Sequence, residues 1–292
     1  MGRPTRVLCD GIYFGEAPRW RNGRLWFSDF FARAVKSVSL AGDARTEFEI
    51  DDMPSGLGWM PDGSLLIVSM TKRRLLRRSP DGSIAVHADL SDIAGFHCND
   101  MVVDLAGRAY VGNFGFDLYT DVSRRSPEAI FADHQTARLA CVHPDGTVRE
   151  AAAGMHFPNG SVITPDDRTL IVGESLSGNL VAFDIGEDGS LSNRRVWASI
   201  WPRIPDGIAL NADGNIWVAN PFAPECLLVA QGGDVLDVID TGSPCQACML
   251  GGDDGRTLFM LASPKWLPEE ASAAPLGKLL VADVDVPHAG LP

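Results

Sequence analysis

Short apolar runs broken by tight polar turns recur along the chain and predict a repeated antiparallel β structure. Six segments each hold two β-rich runs joined by a turn: 17–30, 56–70, 100–114, 160–175, 207–220 and 248–263. The turn positions are Gly23, Gly63, Gly107, Asp167, Gly214 and Gly255, which lie 40 to 60 residues apart. Tight Asp-Gly and Asn-Gly turns between short apolar runs are typical of β-hairpins.

A second hairpin follows most of these units, at 75–90, 138–153, 180–199 and 227–240. Two hairpins make four antiparallel strands, and four strands per repeat are typical of a propeller blade. The pattern predicts an all-β fold, a six-bladed β-propeller with four antiparallel strands per blade, as a single domain over residues 1–292. The last unit is short, so we expect 6–10 to pair with 278–286 and remove the open sheet edges.

The third repeat is longer than the others because of an insertion at about 114–136, FGFDLYTDVSRRSPEAIFADHQT. Its proline, glycine and charges predict a loop over one face of the propeller. Long loops of this kind often carry function, so the segment is a candidate lid.

One position of the repeat carries an oxygen-bearing side chain in five of the six units. Eight residues before each turn position, or seven in the shorter first turn, stand Glu16, Ser55, Asn99, Asn159, Asp206 and Ala247. The first strand of a propeller blade lines the central channel, so these residues should converge at one mouth. Asn and Asp also form turns with their own backbone, which explains any one of them alone. Two carboxylates and two amides near one axis, however, favour a hard divalent cation.

Composition limits the classes of partner. Apolar residues make up 45% of the 292 residues, which is enough for a large core. The net charge of −13 argues against nucleic acid and anionic membranes, since both need basic patches. We find no run of about 18 apolar residues and no signal-peptide pattern, so a cytoplasmic location is expected. The six cysteines lack a second metal-binding pair and are expected to be reduced thiols.

Four motifs in order along the chain resemble the senescence marker protein (regucalcin) / gluconolactonase / luciferin-regenerating enzyme family. They are GEAPRW (15–20), HCNDMVVD (97–104), PNG (158–160) and IPDGIALNADGNIWVA (204–219), and the resemblance runs from about 12 to 263. It implies a six-bladed propeller and metal-dependent hydrolysis of a small lactone, with one divalent metal ion as cofactor. Ca²⁺ is the first expectation, with Zn²⁺, Mn²⁺, Mg²⁺ and Fe²⁺ as alternatives.

The resemblance also implies roles for the residues at the repeated position. The metal-binding Glu, Asn and Asp of the family match Glu16, Asn159 and Asp206, and its substrate-contacting Asn, often also near the metal, matches Asn99. Many sugar lactonases of the family have Arg two residues before that Asn, where this chain has His97. Imidazole offers fewer donors than guanidinium, so a non-sugar lactone is as strong an expectation as an aldonolactone.

For the reaction itself, Asp206 is the candidate general base that positions or deprotonates a water molecule. His97 is the alternative base or a donor to substrate. Ser55 and His156 are further candidates for contact with substrate because they lie at or near the same mouth. Ser55 is not expected to be a nucleophile, since no base and acid accompany it in the sequence.

Other functions fit the same sequence. The propeller could be a non-enzymatic metal-binding scaffold, because fold alone does not imply function. The same metal could also serve hydrolysis of another ester or an organophosphate. The chain is expected to be a monomer or a weak homo-oligomer, without nucleic acid or membrane partners.

Overall fold

The strands of the chain form six four-stranded antiparallel sheets in a computed structural model that describes residues 3–292. The first strand, β1 (Arg6–Ile12), belongs to the last sheet. In each blade the strands are given from the inner to the outer one. Blade 1 consists of β2 (Gly15–Arg21), β3 (Arg24–Asp29), β4 (Ala34–Ser39) and β5 (Ala44–Glu49), and blade 2 of β6 (Pro54–Trp59), β7 (Leu65–Ser69), β8 (Arg74–Arg78) and β9 (Ile84–Asp89). Blade 3 consists of β10 (Cys98–Val103), β11 (Ala109–Asn113), β12 (Ala137–Val142) and β13 (Val148–Met155).

The remaining blades continue the same order. They are blade 4 with β14 (Pro158–Ile163), β15 (Thr169–Glu174), β16 (Asn179–Ile185) and β17 (Leu191–Ser199), blade 5 with β18 (Ile208–Leu210), β19 (Ile216–Asn220), β20 (Glu225–Val229) and β21 (Val235–Asp240), and blade 6 with β22 (Cys245–Gly251), β23 (Thr257–Ala262), β24 (Gly277–Asp283) and β1. The six-bladed propeller predicted from the repeats is confirmed.

The turn residues that set the repeat register share one backbone conformation. All six, from Gly23 to Gly255, have φ between 58° and 83°. Five are glycine, which adopts this left-handed region without steric cost, and Asp167 is a residue type that tolerates it. These turns join the inner strand of each blade to the second strand. Counting back from them therefore places the residue at the repeated position of each blade at the same level along the central channel.

The ring closes where the chain termini meet. Strand β1 pairs with β24 in antiparallel register, with Val7 opposite Leu280. Leu8 points into the core between blades 6 and 1. The predicted pairing of 6–10 with the C-terminal run is confirmed.

Apolar side chains fill the space between each pair of neighbouring blades. The C-terminal tail crosses two inner strands at their far ends, where Leu291 bridges Ile163 and the Ala289 amide donates to the Leu210 carbonyl. All six cysteines are free thiols. Within residues 3–292, no helix combines the length and the apolar character needed to cross a membrane.

The insertion at 114–136 differs from the irregular loop that the sequence predicts. It forms two short helices, α1 (Leu118–Arg124) and α2 (Pro127–Ala132). Asp117 caps the first by accepting from the Thr120 amide, and Ser126 caps the second with Pro127 at its first position. Helices of six or seven residues are too short for an apolar periodicity to reveal. A third short helix, α3 (Pro268–Ala271), connects β23 to β24.

Candidate active site

The four residues proposed as ligands lie together at one end of the inner strands. Glu16, Asn99 and Asn159 are near the first residues of β2, β10 and β14, and Asp206 precedes β18. Each side chain is buried, with 5 to 7% of its surface exposed, yet all four line one cavity. The ladder of each of the three strands is irregular just past this point. Irregular pairing next to a site turns side chains toward it.

The repeated Pro-x-Gly segments let the inner strands approach each other closely. A Cβ on Gly160 would lie 2.4 Å from the Asp206 carbonyl oxygen, and one on Gly207 would lie 2.6 Å from the Cα of Ala247. The Gly160 amide instead donates to that Asp206 carbonyl at 3.1 Å. Glycine is therefore required here because backbone from the next blade occupies the side-chain position.

A chain of hydrogen bonds fixes the amides on the cavity floor. Ser55 Oγ donates to Asn99 Oδ1 at 3.4 Å, and Asn99 Nδ2 donates to Asn159 Oδ1 at 2.9 Å. Asn159 Nδ2 in turn donates to Ser175 Oγ at 3.2 Å, and Ser175 donates to the Pro205 carbonyl at 2.8 Å. One N–H of each amide is thus engaged within the floor, and each amide oxygen keeps a second lone pair.

The acidic side chains of the floor repel each other. Burial raises the pKa of Glu16 well above its usual range, and the charges of Asp206 and Asp100 raise it further. The pKa of Asp206 is also raised, by burial first and then by Asp100, while the side chain of Asn159 lowers it. Like charges in a buried site favour protonation or a cation.

The floor fits a divalent cation. Asp206 Oδ1 is buried and has no hydrogen-bond partner within residues 3–292. Together with Glu16 and the two amide oxygens it forms the oxygen-rich donor set that hard cations prefer. The described residues contain no cluster of three His, Cys, Asp or Glu side chains arranged for a metal, so any site here depends on the two asparagines.

Above this floor lies a cavity of about 350 Å³ with an apolar wall. Every blade except blade 2 contributes a side chain to it, as does the helical insertion. The wall includes, from the blades, Phe14, Phe30, Phe31, Phe157, Leu176, Ile204, Phe222 and Trp266, and from the insertion Phe114, Leu118, Tyr119, Val122, Ile130 and Phe131. This volume suits a small ligand.

Comparison with known proteins identifies the family to which the chain belongs. The model of the SMP-30/Gluconolactonase/LRE-like region matches residues 14–263, which contain all four floor residues. The chain belongs to the SMP-30/gluconolactonase/LRE-like family.

Among curated members of the family, the gluconolactonase of Zymomonas mobilis is 25% identical over 302 aligned residues, covering 90% of this chain and 80% of the relative. The pentonolactonase of Haloferax volcanii is 26% identical, with 74% and 69% covered. Among solved structures, a calcium-binding protein, regucalcin, from Agrobacterium tumefaciens has a TM-score of 0.81 at 20% identity, covering 100% of this chain and 97% of that one. This structural likeness shows the shared fold.

Three further candidates from the sequence, Ser55, His97 and His156, do not line the cavity that residues 3–292 form. Ser55 contacts the floor through Asn99. His97 stacks on Phe96, with ring centroids 4.0 Å apart, and burial lowers its pKa. Nδ1 of His97 finds no hydrogen-bond partner within residues 3–292. His156 is hydrogen-bonded at 3.0 Å to His134 at the end of the insertion. Their predicted roles in substrate contact stay predictions.

Sequence reasoning missed the aromatic wall, although the repeat register contains its signal. Two residues before the repeated position that carries Glu16, Ser55, Asn99, Asn159, Asp206 and Ala247, the six blades have Phe14, Met53, His97, Phe157, Ile204 and Cys245. Three of them, Phe14, Phe157 and Ile204, line the cavity. His97 occupies the equivalent position of blade 3, but it does not line the cavity. Sequence reasoning also missed Gln246, which lines the cavity and precedes Ala247, the residue of blade 6 at the repeated position.

Proposed function

We propose that the chain is a divalent-metal-dependent hydrolase that opens a small lactone. The proposal depends on one observation: two buried carboxylates, Glu16 and Asp206, meet two oriented amides, Asn99 and Asn159, on the floor of a ligand-sized cavity. Relatives in the family named gluconolactonase and pentonolactonase support the bond type. The neighbour described as calcium-binding supports the cation.

In this proposal Glu16, Asn159 and Asp206, with Asn99 beside them, hold the cation. A cation bound there would supply positive charge beside the lactone carbonyl oxygen as electrons move onto it. Asp206 has two carboxylate oxygens, so one can ligate the cation while the other accepts a proton. The mostly buried floor excludes bulk water and strengthens these interactions.

The chemistry of ring opening then balances with these groups. The oxygen of a water molecule bonds to the carbonyl carbon while Asp206 accepts the proton of that water. The ring carbon–oxygen bond breaks, and the leaving oxygen takes a proton back from Asp206. The product is the open hydroxy acid.

Turnover of a lactone panel tests the proposal. The protein is assayed with a pH indicator after chelation and after addition of Ca²⁺, Zn²⁺, Mn²⁺, Mg²⁺ or Fe²⁺. We expect turnover only with metal, and its loss in Asp206→Asn. Asp213→Asn is the matched control, because Asp213 is exposed in the same blade and its carboxylate has no role in the floor. Full activity of Asp206→Asn would contradict the assignment.

A metal-binding protein without hydrolytic activity is the competing function, favoured by the neighbour described as calcium-binding. Calorimetry separates the two readings. Metal binding that Asp206→Asn abolishes, with no lactone or ester opened by the wild type, would favour the binding function.

A further inference from the structure

The wall of the cavity is mostly hydrocarbon. Phe114 and Phe157 stack with ring centroids 4.6 Å apart, and Phe14 packs on Phe30 at 5.3 Å. The insertion also lines the cavity with Leu118, Val122 and Ile130 among others. Phe222 at the wall remains 61% exposed in this structure and packs near Trp266.

Most of the polar groups that line the cavity already donate to other protein atoms. Arg125, the cation in the lining, directs one terminal nitrogen to Asp121 Oδ2 at 2.7 Å and the other to the carbonyls of Ala129 and Asp133. Gln246 Nε2 donates to the Ser263 carbonyl at 3.3 Å. Three of the five N–H groups of the guanidinium therefore brace the insertion.

One N–H of each floor asparagine and the Ser175 hydroxyl are engaged in the same way, because Asn99 donates to Asn159, Asn159 to Ser175, and Ser175 to the Pro205 carbonyl. The wall keeps one polar atom each on Tyr119 and Trp266. With only these two polar atoms on the wall, most hydroxyls of a polyhydroxylated ligand would lose their hydration there without gaining a partner, which disfavours binding.

Resting on the proposed function, we infer that the substrate is an apolar lactone: an ester ring with a fused or attached aryl or alkyl group, not a polyhydroxylated one. The ester of such a molecule faces the oxygen-rich floor, and its hydrocarbon body packs against the aromatic wall. The residues that determine this specificity are Phe31 and Phe157 from the blades, with Phe114, Leu118 and Val122 from the insertion.

Competing substrates test the inference directly. The metal-loaded protein is assayed with 3,4-dihydrocoumarin, δ-decalactone and D-glucono-δ-lactone. We expect kcat/KM for the two apolar lactones to exceed that for the hydroxylated one by at least a hundredfold. Equal or greater kcat/KM for D-glucono-δ-lactone would overturn the inference while leaving the proposed hydrolase intact.

Binding of non-hydrolysable lactams tests the same inference independently of turnover. The lactam isostere of dihydrocoumarin and D-gluconolactam are titrated by calorimetry. We expect the apolar lactam to bind at least tenfold more tightly, with the negative heat-capacity change of apolar burial. Tighter or equal binding of the hydroxylated lactam would overturn the inference even if no lactone were hydrolysed.

Substitutions in the wall locate the effect. Leu118→Asn should lower kcat/KM for dihydrocoumarin and its lactam affinity about tenfold, as for loss of apolar contact in a pocket. Leu105→Asn is the matched control, since Leu105 is 64% exposed and outside the cavity lining. Phe222→Ser is a second wall variant at an exposed position where folding is not at risk. Wild-type values in both wall variants would contradict the assignment.

Discussion

Arg19 and Asp100 form a buried ion pair inside the channel, with Nη2 of Arg19 2.8 Å from Oδ1 of Asp100. The same guanidinium donates to the carbonyls of Leu57 at 2.8 Å and Met101 at 2.7 Å. It therefore joins the inner strands of blades 1, 2 and 3. Asp100 follows the floor residue Asn99 directly, so this pair also balances the charge of one of three neighbouring carboxylates.

Removing Arg19 should destabilise the propeller. Arg19→Met leaves the Asp100 carboxylate buried without its partner, and breaking a buried pair in this way costs about 3–5 kcal/mol. Unfolding in urea measures the loss, with Arg6→Met as the control at an exposed arginine. The double variant Arg19→Met with Asp100→Asn should recover part of the loss. A change below about 1 kcal/mol in the single variant would show that the pair does not support the fold.

The floor carboxylates should make the metal-free protein less stable as pH rises. The pKa values of Glu16 and Asp206 are raised in the folded state above their ordinary values of 4.5 and 3.8. The contribution of these two groups to folding stability is therefore complete below about pH 4. It is lost as pH rises through the raised pKa values, by roughly 1.4 kcal/mol per unit of difference between the folded-state and unfolded-state pKa. Because Glu16 and Asp206 interact, the pH dependence of stability reflects the titration of the pair and cannot be divided between the two residues.

Glu16→Gln should remove much of this dependence. In chelator at pH 7 we expect a higher melting temperature for Glu16→Gln than for wild type, and similar values at pH 4. Added Ca²⁺ should raise the wild-type melting temperature and leave that of the variant unchanged. Glu49→Gln, at an exposed position of β5, is the control. Equal pH profiles for wild type and Glu16→Gln would exclude a buried charged pair on the floor.

The parts of the fold that could be predicted are those that repeat. The turn at Gly23 recurs five more times, and counting back from each turn places Glu16 and Asp206 on the same channel although 190 residues separate them. A register of this kind transfers position from one blade to the next. It also shows that β1 must close the last sheet, since blade 6 otherwise lacks a strand.

Features that occur once could not be found in this way. Arg19 lies in a strand with two other charged residues and looks like an ordinary surface arginine until Asp100, 81 positions away, is placed beside it. The helices of the insertion depend on local caps at Asp117 and Ser126 and on packing against the wall. The apolar character of the cavity arises from loop residues such as Phe31 and Phe222, whose exposure depends on the tertiary structure.

Acidification should loosen the insertion. Nε2 of His134 lies 3.0 Å from Nδ1 of His156, and Nδ1 of His134 lies 3.0 Å from the Ile130 carbonyl oxygen. Burial lowers the pKa of His134 from 6.5, and the nearby His156 lowers it further. The packed insertion therefore prefers neutral His134, and its stability falls as pH drops below about 6.5, where the unfolded segment takes up protons more readily.

Hydrogen exchange of the amides over 118–133 measures this loosening after correction for the intrinsic pH dependence of exchange. We expect faster exchange at pH 5.5 than at pH 7.5 in wild type. His134→Ala should exchange rapidly at both values because the contact to His156 is absent. His87→Ala, at a half-buried histidine of β9, should behave as wild type. Protection independent of pH in the wild type would show that the histidine pair does not hold the insertion.

Closure of the ring by β1 should contribute strongly to stability. Leu8 is 8% exposed and packs in the cluster between blades 6 and 1, whereas its neighbour Val7 is 48% exposed on the same strand. Leu8→Ala should cost about 2–5 kcal/mol, as for truncation of a buried leucine, and Val7→Ala less than about 1 kcal/mol. Deletion of residues 1–10 should lower the melting temperature further, because it exposes the edge of β24. If the deletion melts at the wild-type temperature, the five complete blades and the remaining three strands hold the ring without closure.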